Sequence, residues 1–152
     1  MALKPARYEG QTDISFFMDQ VAERGGVVCV KTVGSGSALD QSAAEVEYKA
    51  NPSGQRPVGI LLNDMVNKDL TKQILNPYKN EMQKGSKVTI LRKGWVLTNM
   101  VTGTAPSGAQ TAYVGPSGYF SISSASGYVE VGEFLSTVDQ DGYYKVEINL
   151  PR

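Results

Sequence analysis

The sequence predicts an all-β protein, either a small β-barrel or a β-tulip-like sandwich, with an N-terminal arm. Short runs rich in β-branched and aromatic residues recur along the chain, and Gly, Pro and Ser turns separate them. The last run, 143–150, alternates from Tyr144 onward between apolar and polar residues, so one face can be buried while the other meets water. The predicted organisation is an arm over residues 1–24 and a β-barrel domain over residues 25–152.

The N-terminal segment has two parts. Residues 1–12 are expected to be extended, because Pro5 lacks an N–H and restricts its predecessor. Residues 13–24 show a helical spacing, and Gly25 could end such a helix. This segment is expected either to pack under the domain or to lie on a neighbouring subunit. The apolar residues at helical spacing are Ile14, Phe17, Met18 and Val21.

The middle of the chain predicts short strands and one irregular connection. A flexible loop is expected at 34–37 and a turn at 51–54. Residues 69–81 could begin as a helix, but Pro77 would break it, so an irregular connection is expected. The predicted strands are 26–33, 45–49 and 57–62, the last continuing toward residue 66.

The stretch 84–150 is the part around which the chain is organised. Gly94 is expected to divide its first two strands into a hairpin. Gly115-Pro-Ser-Gly118 fits a type I turn, and Asp141-Gly142 is typical of a tight turn. The predicted strands are 87–93, 95–101, 111–114, 119–122, 128–131 and 143–150.

A short internal similarity links the two halves. Val58-Gly-Ile-Leu61 and Val131-Gly-Glu-Phe-Leu135 both open with Val-Gly and reach a large aliphatic residue. A β-rich run and a turn precede each of them. This pattern suggests two half-barrels of related design.

The charge balance argues against two classes of partner. The 15 basic residues equal the 15 acidic ones. Proteins that bind nucleic acid normally carry a basic excess, so no direct nucleic-acid contact is expected. Neutrality also gives no reason for attraction to an anionic membrane, and the sequence shows neither a signal peptide nor a transmembrane span. We therefore expect the protein to be made and kept in a cytoplasm, or to be built into something assembled there.

The residue inventory lacks the usual catalytic groups, so no enzyme activity, cofactor or metal is expected. There is no histidine, which excludes Ser-His-Asp and Cys-His sites within this chain. The single cysteine, Cys29, cannot form an intramolecular disulfide and is expected to be a small buried hydrophobe. Asp139-Gln-Asp-Gly142 resembles part of a calcium loop, but a plain hairpin turn is the favoured interpretation. The carboxylate pairs Glu45/Glu47 and Glu130/Glu133 are expected to be solvated.

Several segments together resemble the decoration, or cement, proteins of tailed-bacteriophage heads. In that group, Gly-rich turns separate short strands in a compact barrel or tulip-shaped domain. The resemblance covers most of residues 25–150 and includes no catalytic residues. The segments that show it are 57–64, 84–96, 108–118, 131–135 and 141–150.

The resemblance implies a structural protein on the outer surface of an assembled capsid, where it bridges neighbouring major capsid subunits. Its partners would be the major capsid protein and further copies of itself, with a homotrimer favoured over a homodimer. The arm and the adjacent aromatic segment are the candidates for contact with capsid or neighbour. The residues expected there are Arg7, Tyr8, Phe16, Phe17, Met18 and Tyr78.

Two other classes of function stay open at this point. A carbohydrate-binding or host-attachment β-sandwich on the virion would need the tyrosines between Tyr113 and Tyr144 to line one exposed strip. An enzyme that works through carboxylates alone would need a pair such as Glu45 and Glu47 to face a cleft.

Overall fold

The computed structural model describes residues 3–4, 10–31, 45–51, 53, 56–64, 68–69, 74–75, 81–82, 84–125 and 127–150. Within these ranges the fold is all-β, as predicted, and the regular non-strand element is a 3₁₀ turn at Pro116–Gly118. No helix in the described ranges is long and apolar enough to cross a membrane. The strands are β1 (Leu3–Lys4), β2 (Gly10–Met18), β3 (Ala22–Glu23), β4 (Val27–Val30), β5 (Glu45–Glu47), β6 (Pro57–Asp64), β7 (Lys68–Asp69), β8 (Ile74–Leu75), β9 (Glu81–Met82), β10 (Lys87–Thr98), β11 (Thr111–Val114), β12 (Phe120–Ser121), β13 (Val129–Phe134) and β14 (Tyr144–Asn149).

The long strand β10 organises the sheet because its two halves have different partners. Its first half pairs with β2 and β6, and its second half pairs with β14 and β1. Gly94 lies at the change of partners, where it pairs with both Gly10 and Ile148. The predicted hairpin at Gly94 is therefore wrong. Its φ of 137° is readily adopted by glycine, and the strand continues through it instead of turning back.

The first half of β10 belongs to a closed ring of strands, which we call the first lobe. The order β10–β2–β5–β4–β6 returns to β10 through the β6–β10 pairing. Every pairing in the ring is antiparallel except β2 with β5, which is parallel. Closure of this kind leaves few exposed sheet edges. The buried core of this lobe comprises Met18, Val28, Val46, Val58, Leu61, Met82, Val88 and Ile90.

The second half of β10 belongs to a second ring, which we call the second lobe. The order is β10–β14–β13–β11–β12. The Phe120 N–H donates to the Met100 carbonyl, and the Thr102 N–H donates to the Phe120 carbonyl, at 2.8 Å each. The chain that continues from β10 thus meets β12 and completes the ring. The larger core cluster includes Val96, Ala112, Val114, Phe120, Val131, Phe134, Val146 and Ile148.

Two strands of the first lobe bury both of their faces. On β4, Val28 points into the first lobe, while Val27 joins the core of the second. On β6, Leu61 likewise points into the first lobe, while Ile60 joins the core of the second. A strand buried on both faces needs a continuous apolar run instead of alternation. This explains why 27–30 and 57–62 contain so few polar residues.

The Val-Gly pairs noted in the sequence occupy equivalent places in the two lobes. Both glycines follow a β-bulge that leaves the preceding valine unpaired. In the first lobe, Val28 pairs with Gly59 and Cys29 with Pro57, which skips Val58. In the second lobe, Val131 is skipped in the same way. The pairings there are Ala112 with Gly132 and Tyr113 with Glu130.

The helical interpretation of residues 13–24 is wrong. Residues 10–18 form β2, and residues 22–23 form β3. Two members of the expected apolar stripe, Ile14 and Val21, are 46% and 56% exposed, so the stripe does not form a buried face. The pairing of β2 with β10 and β5 prevails over the helical spacing. Although β2 belongs to the first lobe, the domain boundary at residue 24 remains a prediction.

Candidate functional site

The predicted contact residues on β2 differ in their accessibility. Phe16 is half-buried against the core of the first lobe, and Phe17 is half-buried with the Lys87 ammonium 5.8 Å from its ring centroid. Met18 is 1% exposed and belongs to that core. In the single chain, Met18 therefore offers no surface to a partner. The interface role of Phe16 and Phe17 stays a prediction, and Arg7, Tyr8 and Tyr78 lie outside the described residues.

A group of ion pairs joins the ends of β2, β4 and β5. The Lys31 ammonium lies 2.9 Å from the Asp19 carboxylate and 3.2 Å from that of Glu45. Hydrogen bonds to Asp19 and then Glu45 raise the pKa of Lys31 above its ordinary value. Glu47 forms an ion pair with Lys49. Each member of the Glu45/Glu47 pair thus has a lysine partner, an arrangement typical of a structural surface.

A second ion pair fastens β1 to the β13–β14 connection. The Lys4 ammonium lies 3.1 Å from Asp139 and 2.6 Å from Asp141. The Asp139 carboxylate also accepts the N–H groups of Asp141 and Tyr143, at 2.9 Å each. The hydrogen bond from the Tyr143 N–H is the main cause of the lowered pKa of Asp139. The segment that resembled part of a calcium loop is thus a turn whose first carboxylate is held by the chain itself.

A cleft of about 450 Å³ lies at the junction of the two lobes. Its wall includes Tyr48, whose hydroxyl donates to the Glu23 carbonyl at 2.7 Å and accepts the Gly26 N–H at 3.1 Å. Burial raises the pKa of Tyr48. Gly118, at a φ of 79°, lies so close to this ring that a Cβ would overlap it. Tyr48 therefore fixes the first lobe against the second. The lining residues are Ala22, Glu23, Tyr48, Asn99, Met100, Ser117 and Tyr119.

The tyrosines of the last third of the chain are spread over different surroundings. Tyr144 packs edge-to-face on Phe134, with ring centroids 6.2 Å apart. Tyr119 is 40% exposed in the cleft, and Tyr143 lies under the Lys4 ammonium at 5.7 Å. These three rings have different neighbours, so they do not share one local environment.

Cys29 and the carboxylates were the remaining candidates for chemistry. Cys29 is fully buried, and burial raises the pKa of its thiol to about 11. The thiolate, which is the nucleophile, is therefore disfavoured. Within the described ranges, His, Cys, Asp and Glu form no cluster of three or more that could hold a metal ion.

The second lobe presents a row of side chains across four paired strands, which we call the outer row. Thr111 pairs with Glu133, Glu133 with Glu147, and Glu147 with Trp95. Both glutamates are exposed, whereas Thr111 and Trp95 are half-buried. The Lys145 ammonium lies 4.0 Å from the centre of the Trp95 ring.

Sequence reasoning did not select the outer row. Alternation places Glu147 on the wet face of β14, but the sequence does not reveal that Glu133 lies directly opposite it. The sequence signal that could have indicated the pairing of Glu133 with Glu147 is the repeated Val-Gly pair, because that repeat aligns the strands of one lobe with those of the other.

Comparison with known proteins places the chain in a family. No curated protein matches it. A family model described as structural cement protein (E217 gp24/Pam3 gp6) matches residues 5–149. The matched range contains thirteen of the fourteen described strands entirely, β2 to β14, and leaves out only β1 among them. The chain belongs to this family of phage structural cement proteins.

Proposed function

We propose that the protein binds the outer surface of an assembled phage head and stabilises it by bridging neighbouring major capsid subunits. The observation that carries this proposal is the family match over residues 5–149. In this proposal the protein acts as a homotrimer, and its role is structural and not enzymatic. Many copies act on one shell, so modest affinity at each site suffices.

The architecture supports a mechanical role. The two lobes share β10, and the Tyr48 ring, which packs against Gly118, connects them a second time. A body joined in two places resists hinge motion better than one joined by a single linker. Such a body can transmit force from one capsid subunit to another. The ion-paired carboxylates Glu45 and Glu47 and the buried thiol of Cys29 favour this role over a catalytic one.

The N-terminal segment supplies the first candidate contact. Ile14 is a large apolar side chain that is 46% exposed on β2, and Phe17 is half-buried on the same strand. Exposed apolar groups near a protein surface are suited to burial against a partner. We propose that β2 and the residues before it contact the capsid or a neighbouring copy.

Co-sedimentation with capsids stripped of accessory proteins tests the proposal, followed by cryo-electron microscopy of the pellet. Ordered, stoichiometric density on the outer shell is the expected result, in groups of three copies. Failure to bind intact expanded capsids would refute the proposed function. Bound density arranged as dimers would refute the trimer alone.

A point substitution tests the N-terminal contact better than truncation, because deletion of residues 1–24 would remove β2 from the first lobe. Ile14→Ser should weaken capsid binding while the unfolding transition stays unchanged. Val138→Ser is the matched control, since Val138 is 48% exposed on the β13–β14 connection of the second lobe and not on β2. Equal loss of binding in both variants would contradict a specific role for β2.

One observation favours carbohydrate binding as a second candidate function. The cleft combines the exposed Tyr119 ring with polar side chains from Asn99 and Ser117, which suits a sugar ring and its hydroxyls. A glycan array with wild type and Tyr119→Ala tests it. Saturable binding that the substitution removes would support this function, and absence of any binding would refute it.

A further inference from the structure

The first and last strands of the described chain flank the same central strand. β1 pairs with β10 at Leu3 and Thr98, and β2 begins opposite Gly94 on that same edge of β10. β14 pairs with the other edge of β10, from Thr98 to Lys93. All three pairings are antiparallel. β1, β2 and β14 therefore run in one direction, and β10 runs between them in the opposite direction.

Both outer strands are anchored in the core of the second lobe. Leu3 on β1 is 9% exposed, and Leu150, directly after β14, is 3% exposed. Both side chains belong to the larger core cluster. The Leu150 N–H donates to the Arg92 carbonyl at 3.0 Å, which extends the pairing of β14 with β10 by one residue. Lys4 adds its ion pairs to the connection that precedes β14. A buried leucine thus supports the strand pairing on each side of β10.

The two buried leucines lie at different levels along β10. Leu3 is opposite Thr98, whereas Leu150 bonds to Arg92, six residues earlier in the strand. This offset is about 20 Å along β10, compared with about 10 Å across the two strand spacings that separate β1 from β14. A line from Leu3 to Leu150 therefore runs mainly parallel to β10.

Tension along that line would load the strand pairing in shear. The hydrogen bonds of an antiparallel pair are perpendicular to its strands. A force along the strands therefore strains all the bonds of a pair together, whereas a force across the strands opens the bonds one after another. β2 begins opposite Gly94, which lies between Arg92 and Thr98 on β10, so β2 is loaded in the same direction if β1 yields first.

We propose that β1, β2, β10 and β14 form a mechanical clamp, which carries tension between the N-terminal segment and the end of β14. This inference rests on the proposed capsid binding for the source of the load, and it names the direction in which the load is resisted. A bridge between capsid subunits is stretched whenever those subunits are pushed apart. Strand pairing in shear gives such a bridge its resistance, because no bond of the clamp can open before its neighbours are strained.

Single-molecule force spectroscopy with two attachment geometries tests the clamp. The N-terminal handle is the same in both geometries, and the second handle is attached to an introduced cysteine, either Arg152→Cys or Asn99→Cys. Arg152 follows β14 in the chain, whereas Asn99 is exposed directly after β10, at the end of that strand where β1 pairs with it. Cys29 is fully buried and does not compete for the handle.

The two geometries load the same fold in different ways. Load between residues 1 and 152 shears the clamp, and load between residues 1 and 99 opens β1 from β10 at one end. Forced unfolding is governed by the rate of unfolding and not by equilibrium stability. At equal pulling speed, we therefore expect a higher mean unfolding force for the Arg152→Cys attachment. Urea unfolding of both variants is the control, because equal midpoints mean that the difference in force comes from the direction of pulling alone.

Three outcomes decide the inference. A higher force in the shear geometry supports the clamp. Equal forces, or a lower force for Arg152→Cys, would overturn it while the proposed function stands. If wild type does not bind stripped capsids, the proposed function fails, and the two forces still decide whether the clamp exists. If Asn99→Cys lowers the urea midpoint, Thr104→Cys replaces it, since Thr104 is also exposed beyond the same end of β10.

Discussion

Replacement of Gly132 by alanine tests the equivalence of the two lobes through stability. An alanine Cβ at this position would overlap the Glu147 carbonyl oxygen and lie 2.8 Å from the Ile148 Cα. Both obstacles are backbone atoms of β14, which cannot rotate away as a side chain can. The β13–β14 pairing must therefore separate locally to admit one methyl group.

The size of the effect follows from two opposing terms. Overpacking of a well-packed site costs about 1–3 kcal/mol, and a backbone obstacle indicates the upper end of that range. Alanine also reduces the conformational entropy of the unfolded chain, which raises the free energy of unfolding by about 0.4–1 kcal/mol. The net loss should be about 2 kcal/mol, or a fall in Tm of roughly 4–8 °C for a chain of this length. Gly59→Ala should cost a similar amount, because its Cβ would overlap the Leu91 carbonyl oxygen.

Urea unfolding followed by the fluorescence of Trp95, the single tryptophan, provides the assay. Gly108→Ala is the matched control, because the nearest atom to its added Cβ is the Leu135 carbonyl oxygen at an ordinary 3.7 Å. This control should be as stable as wild type or slightly more stable. If Gly132→Ala and Gly108→Ala unfold at the same urea concentration, the close approach of β13 and β14 is refuted.

Three further predictions concern single side chains. Tyr48→Phe removes one hydroxyl and two hydrogen bonds to backbone groups, so it should lower the free energy of unfolding by about 1–2 kcal/mol in thermal denaturation. Lys4→Met should destabilise the chain near neutral pH, and its difference in stability from wild type should shrink on acidification. The reason is that the pKa of Asp139 is lowered in the folded chain, so the stability that this carboxylate contributes is present above its ordinary pKa and is lost as pH falls through the folded value. A difference in stability that does not depend on pH would contradict the ion pair. Cys29 should react with a thiol reagent only as fast as the protein unfolds, and rapid labelling of the native protein would refute its burial. Burial raises the pKa of this thiol from 9.0 to about 11, so the stability that the buried thiol contributes should fall as the pH rises from 9.0 toward 11.

The alternating parts of the fold could be predicted from sequence. In β14, Val146 and Ile148 are buried, while Lys145 and Glu147 belong to the opposite, more exposed face. One buried face imposes a period of two on such a strand, and that period is visible in the residues alone. A turn does form at Gly115-Pro-Ser-Gly118, but the predicted type I is wrong, because Ser117 has a φ of 58° where a type I turn has a negative φ.

The parts that depend on distant partners could not be predicted. The spacing of Ile14, Phe17 and Val21 is consistent with a helix, and only the pairing with β10 and β5 makes residues 10–18 a strand. Likewise, a glycine such as Gly94 is typical of a turn when its neighbours in space are unknown. The site was less predictable still, because the opposition of Glu133 and Glu147 depends on a strand register that the sequence does not state.

The duplicated design explains why the two equivalent faces carry different residues. The first lobe must fasten to the second, so Val27, Ile60 and Leu91 are apolar and fully covered. If the second lobe kept the same apolar row, copies of the chain could stack on one another without limit. At the equivalent positions of the second lobe Glu133 and Glu147 are exposed, and carboxylates are costly to bury without a partner, which disfavours such stacking.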